Sequence, residues 1–545
     1  MGGKKSGNSR EDVPPLPDVV PQVSAGQTEQ CDLVVVGMGI CGCAAAITAT
    51  DLGAKVILLD KLGKEGMDAR VALGVKRIFG NDTSRSGGFC HPNSHQFGYD
   101  IGKMVEAIMA LPGMKLPAAD ISESIGNFPP GHPGHRLSRD LLIAIAEVNM
   151  GQSKNPAYRQ LDSADFWKAV VGDKIEVSTG ISKMGQQSKS CRAVSPDRSG
   201  PSLMWAILEA AEKYGVKMAF KSRATRLLVD KLGRVAGVRA LGPTGIIDYR
   251  AKAAILASGG FQGNQAMLHQ YVGPSISHGA ILLTGSPFNT GDGHRMAMEV
   301  GALLANPALC HMRNTTPGWD TGFINISGEL GRYSIIVNTE GKRFINENIM
   351  KDDIANAIAY QPNQVAGLVW DDAMVKKFQD DYKRTLNWGN HAKYMRDCHR
   401  LEEVAEYIGC PAEALKRTIT EYNQAIRDET ITTLPIKKTG CAVPLNKAPW
   451  HVCFPIVPGL NHTLGGLEVN SRCAVLDEMA DPIPGLYAGG ALTNWNWGYV
   501  WTGAGVTSFV GSYDLSSSGL STCTAMGRIA GVEALKTTSR GWQQG

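Results

Sequence analysis

Twelve cysteines occur in the chain, yet no two have C-x-x-C spacing, so zinc ribbons, iron–sulfur clusters and c-type haem attachment lack their usual sequence basis. Any redox centre is therefore expected to be an organic cofactor. No apolar stretch reaches the roughly 20 residues that a membrane helix needs, and the segment from Leu33 to Ile47 is both short and broken by glycine. No membrane span is expected. Charge of one sign is equally scarce: the net balance is +4 without a long basic run, which argues against nucleic acid or an anionic surface as the main partner. There is no internal repeat. Scattered thiols fit a reducing compartment, and a cytoplasmic location is expected.

What is present suits a large enzyme. The chain has 545 residues, 43% of them apolar, enough to bury a sizeable core in two or more domains. Residues 1–29 are polar and rich in Pro, Gly and Ser, and read as a disordered lead rather than a signal peptide. Immediately after them, the apolar run Leu33 to Val36 leads into Gly37-Met38-Gly39-Ile40-Cys41-Gly42. This is GxGxxG in the context that gives it meaning. An Ala-rich helix pattern follows (Ala44 to Leu52), then Val56-Ile57-Leu58-Leu59-Asp60, whose carboxylate can take a ribose hydroxyl. The glycines serve a tight turn, close approach to a pyrophosphate and close helix–strand packing, while the helix N-terminus supplies partial positive charge. Cys41-Gly42-Cys43 reads as small, close-packed side chains rather than a redox couple.

Further along, Thr83-Ser84-Arg85-Ser86-Gly87-Gly88 is a small-residue loop able to bring backbone amides close to a flat ring. A helix pattern from Leu203 to Tyr214 precedes expected strands at Lys217 to Ala219, Ala224 to Val229 and Arg234 to Arg239. Ala253 to Phe261 is an apolar strand ending in the glycine pair Gly259-Gly260. Thr290-Gly291-Asp292-Gly293-His294 opens a helix, with Asp292 placed to cap it. Composition turns more polar and aromatic between about Asn306 and Trp450, with helices expected from Leu401 to Ile426, so this stretch reads as an inserted domain. The α/β pattern resumes at Gly485-Leu486-Tyr487-Ala488-Gly489-Gly490, and a Gly- and Ser-rich path from Gly503 leads into a final helix.

Together with Val337-Asn338-Thr339-Glu340-Gly341-Lys342-Arg343-Phe344-Ile345-Asn346-Glu347 and His462-Thr463-Leu464-Gly465-Gly466, these segments resemble the flavoprotein family of soluble fumarate reductases, urocanate reductases and 3-ketosteroid Δ1-dehydrogenases. The resemblance implies an α/β fold: a two-dinucleotide-binding-domain-type FAD domain, a parallel sheet with a β-meander, carrying an inserted α+β capping domain. Its boundaries fall at 30–300 and 451–545 for the FAD domain and 301–450 for the cap. It also implies FAD contacts at Gly37, Gly39, Gly42, Asp60, Lys61, Thr83, Ser84, Ser86, Gly87, Gly88, Ala224, Ser258, Gly259, Asp292, Gly490, Gly505 and Val506.

The chemistry so implied adds or removes two hydrogens across a carbon–carbon bond beside an electron-withdrawing group. Hydride passes at flavin N5 and a side chain carries the proton. Where the fumarate reductases have an arginine as proton donor and the ketosteroid dehydrogenases a tyrosine, this chain has Lys351; the alternative is a surface lysine paired with Asp352 or Asp353. At the second catalytic position stands Trp501, which lacks a charge to meet a carboxylate but can stack on a planar substrate. Leu330 matches a second lost arginine, disfavouring a small dicarboxylate. Tyr499 is a reserve acid, and His462 matches a substrate-binding histidine. His311 is a weaker match, and Arg313 is a candidate anion holder.

The expected function is an FAD-dependent oxidoreductase of CH–CH or C=C bonds next to a carbonyl, ketosteroid-dehydrogenase-like, with an aromatic or alicyclic substrate. One alternative is a fumarate-reductase-like ene-reductase of an unsaturated monocarboxylate. Another is an electron-transfer flavoprotein subunit with no substrate of its own. In each case the electron donor or acceptor is external.

Overall fold

Leu33–Val36 and Val56–Leu59 are four-residue strands with every side chain buried, the pattern of a parallel sheet covered on both faces. The computed structural model describes residues 26–64, 81–85, 90, 100–103, 106, 133–181, 187–194, 200–277, 281–308, 310–317, 329–348, 351–380, 382–383, 391–494 and 519–540. Its central sheet runs Ala474–Leu476, Pro482–Ala488, Ala253–Leu256, Leu33–Val36, Val56–Leu59 and Lys217–Ala219 in spatial order. All neighbours are parallel except the first pair. Ala253–Leu256 and Val56–Leu59 flank Leu33–Val36 on opposite sides, so the winding reverses there. A ligand crevice is expected beyond the carboxyl ends of strands at such a switch point.

Helix Ile40–Asp51 packs against the C-terminal helix Gly519–Arg540, and the reason is small residues. A Cβ at Gly527 would lie 2.2 Å from the Cys41 carbonyl oxygen, and one at Gly531 would lie 2.6 Å from that of Ala45. The same helix carries Arg528, buried to 2% exposure and without a carboxylate partner among the described residues. Its guanidinium donates to the carbonyls of Tyr158 at 2.7 Å and Leu161 at 2.8 Å, and stands 4.6 Å over the Phe166 ring. Burial lowers its pKa to about 10, which leaves it charged at neutral pH. Arg528→Met strands these acceptors, at about 1–3 kcal/mol each. The expected result is a lower urea midpoint at unchanged slope; an unchanged midpoint would mean that solvent already serves them.

A β-meander of Arg223–Val229, Val235–Gly242 and Gly245–Arg250 crosses over the sheet's flank. The strand expected from Arg234 starts at Val235, because Arg234 is held in the preceding turn by Asp230. Residues Gln27–Gln30, the first three of them assigned to the disordered lead, form an edge strand parallel to Gly245–Arg250. The strand is mostly exposed and polar, so its pairing rests on backbone groups and leaves no apolar alternation to read. The remainder of the expected lead, residues 1–25, lies outside the described residues.

The second layer is built on one long strand, Trp450–Thr463. It pairs antiparallel with Cys310–Thr315, Ala366–Asp371 and Met395–Cys398, and parallel with Leu282–Leu283. Helices Leu401–Ile408 and Ala412–Arg427 bury Val404 and Ile408, and Leu415, Ile419 and Tyr422, at helical spacing to form a separate apolar core. The expected boundary at 450/451 separates Trp450 from the rest of the long strand, whose four partners all precede it in the chain. Among the described residues, no helix is long and apolar enough to cross a membrane.

Candidate active site

Gly37 has φ of +106°, and a Cβ there would sit 2.4 Å from the Ala257 carbonyl oxygen; at Gly42 it would lie 1.9 Å from the oxygen of Gly37. Side chains are excluded at both turns. Gly39 caps helix Ile40–Asp51 in an extended conformation without a side-chain bond, and the amide of Ile40 donates to Thr83 Oγ1 at 3.0 Å. Asp60 follows its strand and accepts from the amides of Met38 and Leu62, both at 2.8 Å. Burial pushes its carboxyl upward against these two bonds.

Lys61 donates to Thr290 Oγ1 at 2.7 Å and to Asp292 at 2.8 Å, and its burial lowers its pKa. Asp292 also accepts from Arg223 at 2.9 Å and Arg295 at 2.7 Å. Burial would raise this carboxyl, but Lys61 and Arg223 outweigh it and hold it well below the carboxylate range. The expected capping role is corrected: Gly291 is the cap, and Asp292 is the first helical residue, its oxygens turned to the three cations.

Gly37, Gly39, Asp60, Lys61, Thr83, Ala224, Ser258, Gly259, Asp292 and Gly490 line one cleft at the switch point, with about 830 Å³ of empty space that is partly open to solvent. Gly42 stands behind its wall. Sequence reasoning missed Asp82, which also lines the cleft and accepts from the Ser286 amide at 2.7 Å, Asn289 Nδ2 at 2.6 Å and Gln262 Nε2 at 3.1 Å. The signal was its place one residue before the small-residue loop, which the reading began at Thr83. Ser84 is in the short helix Asp82–Arg85. Ser258 Oγ is buried and has no hydrogen-bond partner among the described residues, which leaves a polar atom in the cleft for a ligand to satisfy. That orphan hydroxyl, the helix N-terminus and the Asp60 carboxylate together fit an extended dinucleotide. Ser86, Gly87, Gly88, Tyr499, Trp501, Gly505 and Val506 lie outside the described residues.

Across from the cleft, strand register sets His311 directly opposite His462. The rings stand 4.6 Å apart edge to face, with their Nδ1 atoms 3.4 Å apart. Asn461 Nδ2 approaches both, at 2.8 Å from His462 Nδ1 and 3.2 Å from His311 Nδ1. Burial first, then His311 and Arg313, push the His462 imidazole well below its ordinary value, so it is neutral at pH 7. The next residue, Thr463, accepts from the Phe261 amide at 3.2 Å and so ties this corner to the Gly259-Gly260 turn. Lys351 begins helix Lys351–Ala359, which packs on both histidine-bearing strands.

The motif ahead of that helix is a buttress. Arg343 grips Glu347 at 2.8 and 2.7 Å, Glu347 accepts from the Ile336 amide, and buried Lys438 stands 3.5 Å from the same carboxylate. Arg332, two residues beyond Leu330, donates from Nε to Asn348 Oδ1 at 2.9 Å.

A family model described as FAD binding domain matches residues 32–97 and 150–508. The chain belongs to this FAD-binding family. It is 28% identical over 536 residues to a urocanate reductase of Eggerthella lenta, and 25% identical over 518 residues to a probable fumarate reductase of Shewanella frigidimarina. Each alignment covers 94% of this chain and 76% of the relative. Among solved structures, a 3-ketosteroid Δ1-dehydrogenase of Sterolibacterium denitrificans in complex with 1,4-androstadiene-3,17-dione superposes with a TM-score of 0.64. The identity is 18%, covering 93% of this chain and 99% of that one, which is a likeness of fold.

This member of the family is thus an FAD-dependent oxidoreductase of C=C or CH–CH bonds, with the expected α/β architecture. Its described residues form two sets on the two layers. One is the cleft at the sheet's carboxyl edge, where Thr83 and Asp82 meet the phosphate turn. The other is the His311, His462, Asn461 and Arg313 corner. Asn461 was missed because an asparagine beside a histidine has no pattern in sequence; only the pairing of two strands 150 residues apart brings it against His311.

Proposed function

We propose that the enzyme reduces a C=C bond conjugated with a single carboxylate on a substrate whose remaining body is aromatic or alicyclic. The observation that carries this is the cross-strand His311–His462 pair with Arg313 beside it: a buried corner of hydrogen-bonding and cationic groups, suited to an anionic end. The names of the relatives, reductases of urocanate and fumarate, support reduction as the direction. Bound FAD supplies the hydride. Lys351 is the proposed proton donor, His462 and His311 hold the carboxylate, and Arg313 adds positive charge. Trp501 and Tyr499 are the proposed partners of the aromatic body, their residue types suiting a planar group rather than a second acid. Asp60, Lys61 and Thr83 are the proposed holders of the cofactor's adenosine and phosphate half. Electrons come from an external donor. Twelve cysteines free of disulfides suit a cytoplasmic location.

The test is anaerobic reoxidation of the dithionite-reduced enzyme by a panel of aryl acrylates, fumarate and a 3-oxo-4-ene steroid. Aryl acrylates are expected to reoxidise it fastest; turnover with the steroid alone would sink the reading. The acid end also sets a pH dependence. His462 is neutral in the free enzyme, and a bound carboxylate raises its pKa, so binding takes up a proton. KM for an aryl acrylate is therefore expected to fall as pH drops through the bound-state pKa, and to level off below the free-state value. A KM independent of pH would remove His462 from the carboxylate.

A further inference from the structure

A carboxamide nitrogen only donates hydrogen bonds, whereas an imidazole nitrogen donates or accepts according to where its proton sits. Asn461 Nδ2 stands 2.8 Å from Nδ1 of His462 and 3.2 Å from Nδ1 of His311. A proton on either Nδ1 would set donor against donor at these distances; the two Nδ1 atoms are 3.4 Å from each other, farther than either is from the amide, so the amide contacts decide which atoms accept. With Nδ1 accepting in each ring, the single ring proton resides on Nε2, and both histidines carry the same tautomer. The register that places His311 opposite His462, with a bulge immediately after His311, brings the two Nδ1 atoms within reach of one amide. Asparagine's own strand neighbour supplies half of the arrangement and a chain segment 150 residues away supplies the other half.

We propose that the Asn461 amide fixes both His311 and His462 as Nε2–H tautomers and is thereby a positioning residue for the reaction. The inference rests on the reading of the two histidines as the substrate's polar anchor. An amide donor at Nδ1 holds the rings uncharged until an anion arrives, so the corner meets its substrate with two oriented Nε2–H donors. A carboxylate in place of the amide would instead accept hydrogen bonds from protonated Nδ1 atoms and so favour the charged form of the rings.

Arg313 stands on the strand of His311 and depresses His462, and the neighbouring Cys310 thiol is pushed up to about 12 by burial and stays neutral. Helix Lys351–Ala359, packed on both strands, begins with the sequence Lys351-Asp352-Asp353. Leu282–Leu283, paired with the same end of the long strand, has no titratable residue. Asp371, Arg396 and Asp397 pair with the far end of that strand, at Trp450 to Val452.

The experiment reads ring-nitrogen shifts in oxidised, substrate-free holoenzyme labelled with ¹⁵N-histidine, with His311→Gln and His462→Gln for assignment. It is coupled to KM–pH profiles with an aryl acrylate. In the parent enzyme both rings are expected to show unprotonated Nδ1 and protonated Nε2 across neutral pH. Asn461→Asp is expected to raise the His462 titration midpoint by about one pH unit or more and to carry the KM midpoint with it. Asn461→Leu, which adds no charge, is expected to give mixed tautomers with FAD still bound, and it carries the test if the aspartate variant fails to fold. A merely structural Asn461 would lower activity alike at every pH and move neither midpoint. Protonated Nδ1 in the parent enzyme, or midpoints unmoved in the aspartate variant, overturns the proposal. The expected tautomers in an enzyme that reduces no aryl acrylate would instead overturn the substrate reading alone.

Discussion

Gly42→Ala is expected to yield protein that no longer retains FAD. A methyl group there would lie 1.9 Å from the carbonyl oxygen of Gly37, and no side-chain rotation relieves a contact with backbone. Either the phosphate turn opens or helix Ile40–Asp51 shifts away, and that helix is pinned behind by Gly527 and Gly531 against Cys41 and Ala45. Overpacking of this kind costs about 1–3 kcal/mol, which becomes roughly a 5- to 150-fold loss of cofactor affinity if it falls on the bound turn. Flavin absorbance after gel filtration, compared with a titration of apoprotein with FAD, checks this. Full retention of flavin by the variant would place the pyrophosphate away from this turn. Gly39→Ala is the natural companion, because a Cβ there meets nothing closer than Thr83 Oγ1 at 3.7 Å and leaves the fold itself unstrained.

Lys351→Ala is expected to lower turnover by about 10²- to 10⁴-fold, the range contributed by a positioned general acid. FAD content and the rate of chemical flavin reduction should stay at parent values, since neither needs the proton. Position supports the assignment: Lys351 opens the helix that packs on the strands of His311 and His462, and the segment before it is fixed by the Arg343–Glu347–Lys438 group and by Arg332 on Asn348. Unchanged turnover would return Lys351 to the surface and leave the donor to be sought at Tyr499.

The FAD half was the most legible part of this chain, for a physical reason. Its turn demands glycine at fixed spacing, and its strands, buried on both faces, are unbroken apolar runs, so Gly37, Gly42 and Leu33 to Val36 announce themselves. The edge strand Gln27–Gln30 gave no such sign, because only its backbone is used. Asp292 illustrates another limit: a carboxylate at a helix start reads as a cap, whereas Lys61, Arg223 and Arg295 converge on it from three separate places in the chain. Lys351 and His462 were singled out through neighbouring motif letters. Asp82, Asn461 and Arg332 were not, since each acquires its partner through register or loop packing. Local sequence carries turn chemistry well and cross-strand neighbours poorly.

The interlocking of helix Ile40–Asp51 with Gly519–Arg540 also bears on how the molecule is made. During synthesis the phosphate turn emerges well before the surface that its helix needs, which is translated after every described strand of the cap sheet. The cap can therefore assemble its own core on the ribosome while the cofactor half still waits for its closing helix. Cofactor capture then becomes a late event in biogenesis, and a chain stalled before residue 519 would display a finished cap on an FAD half without its closing helix.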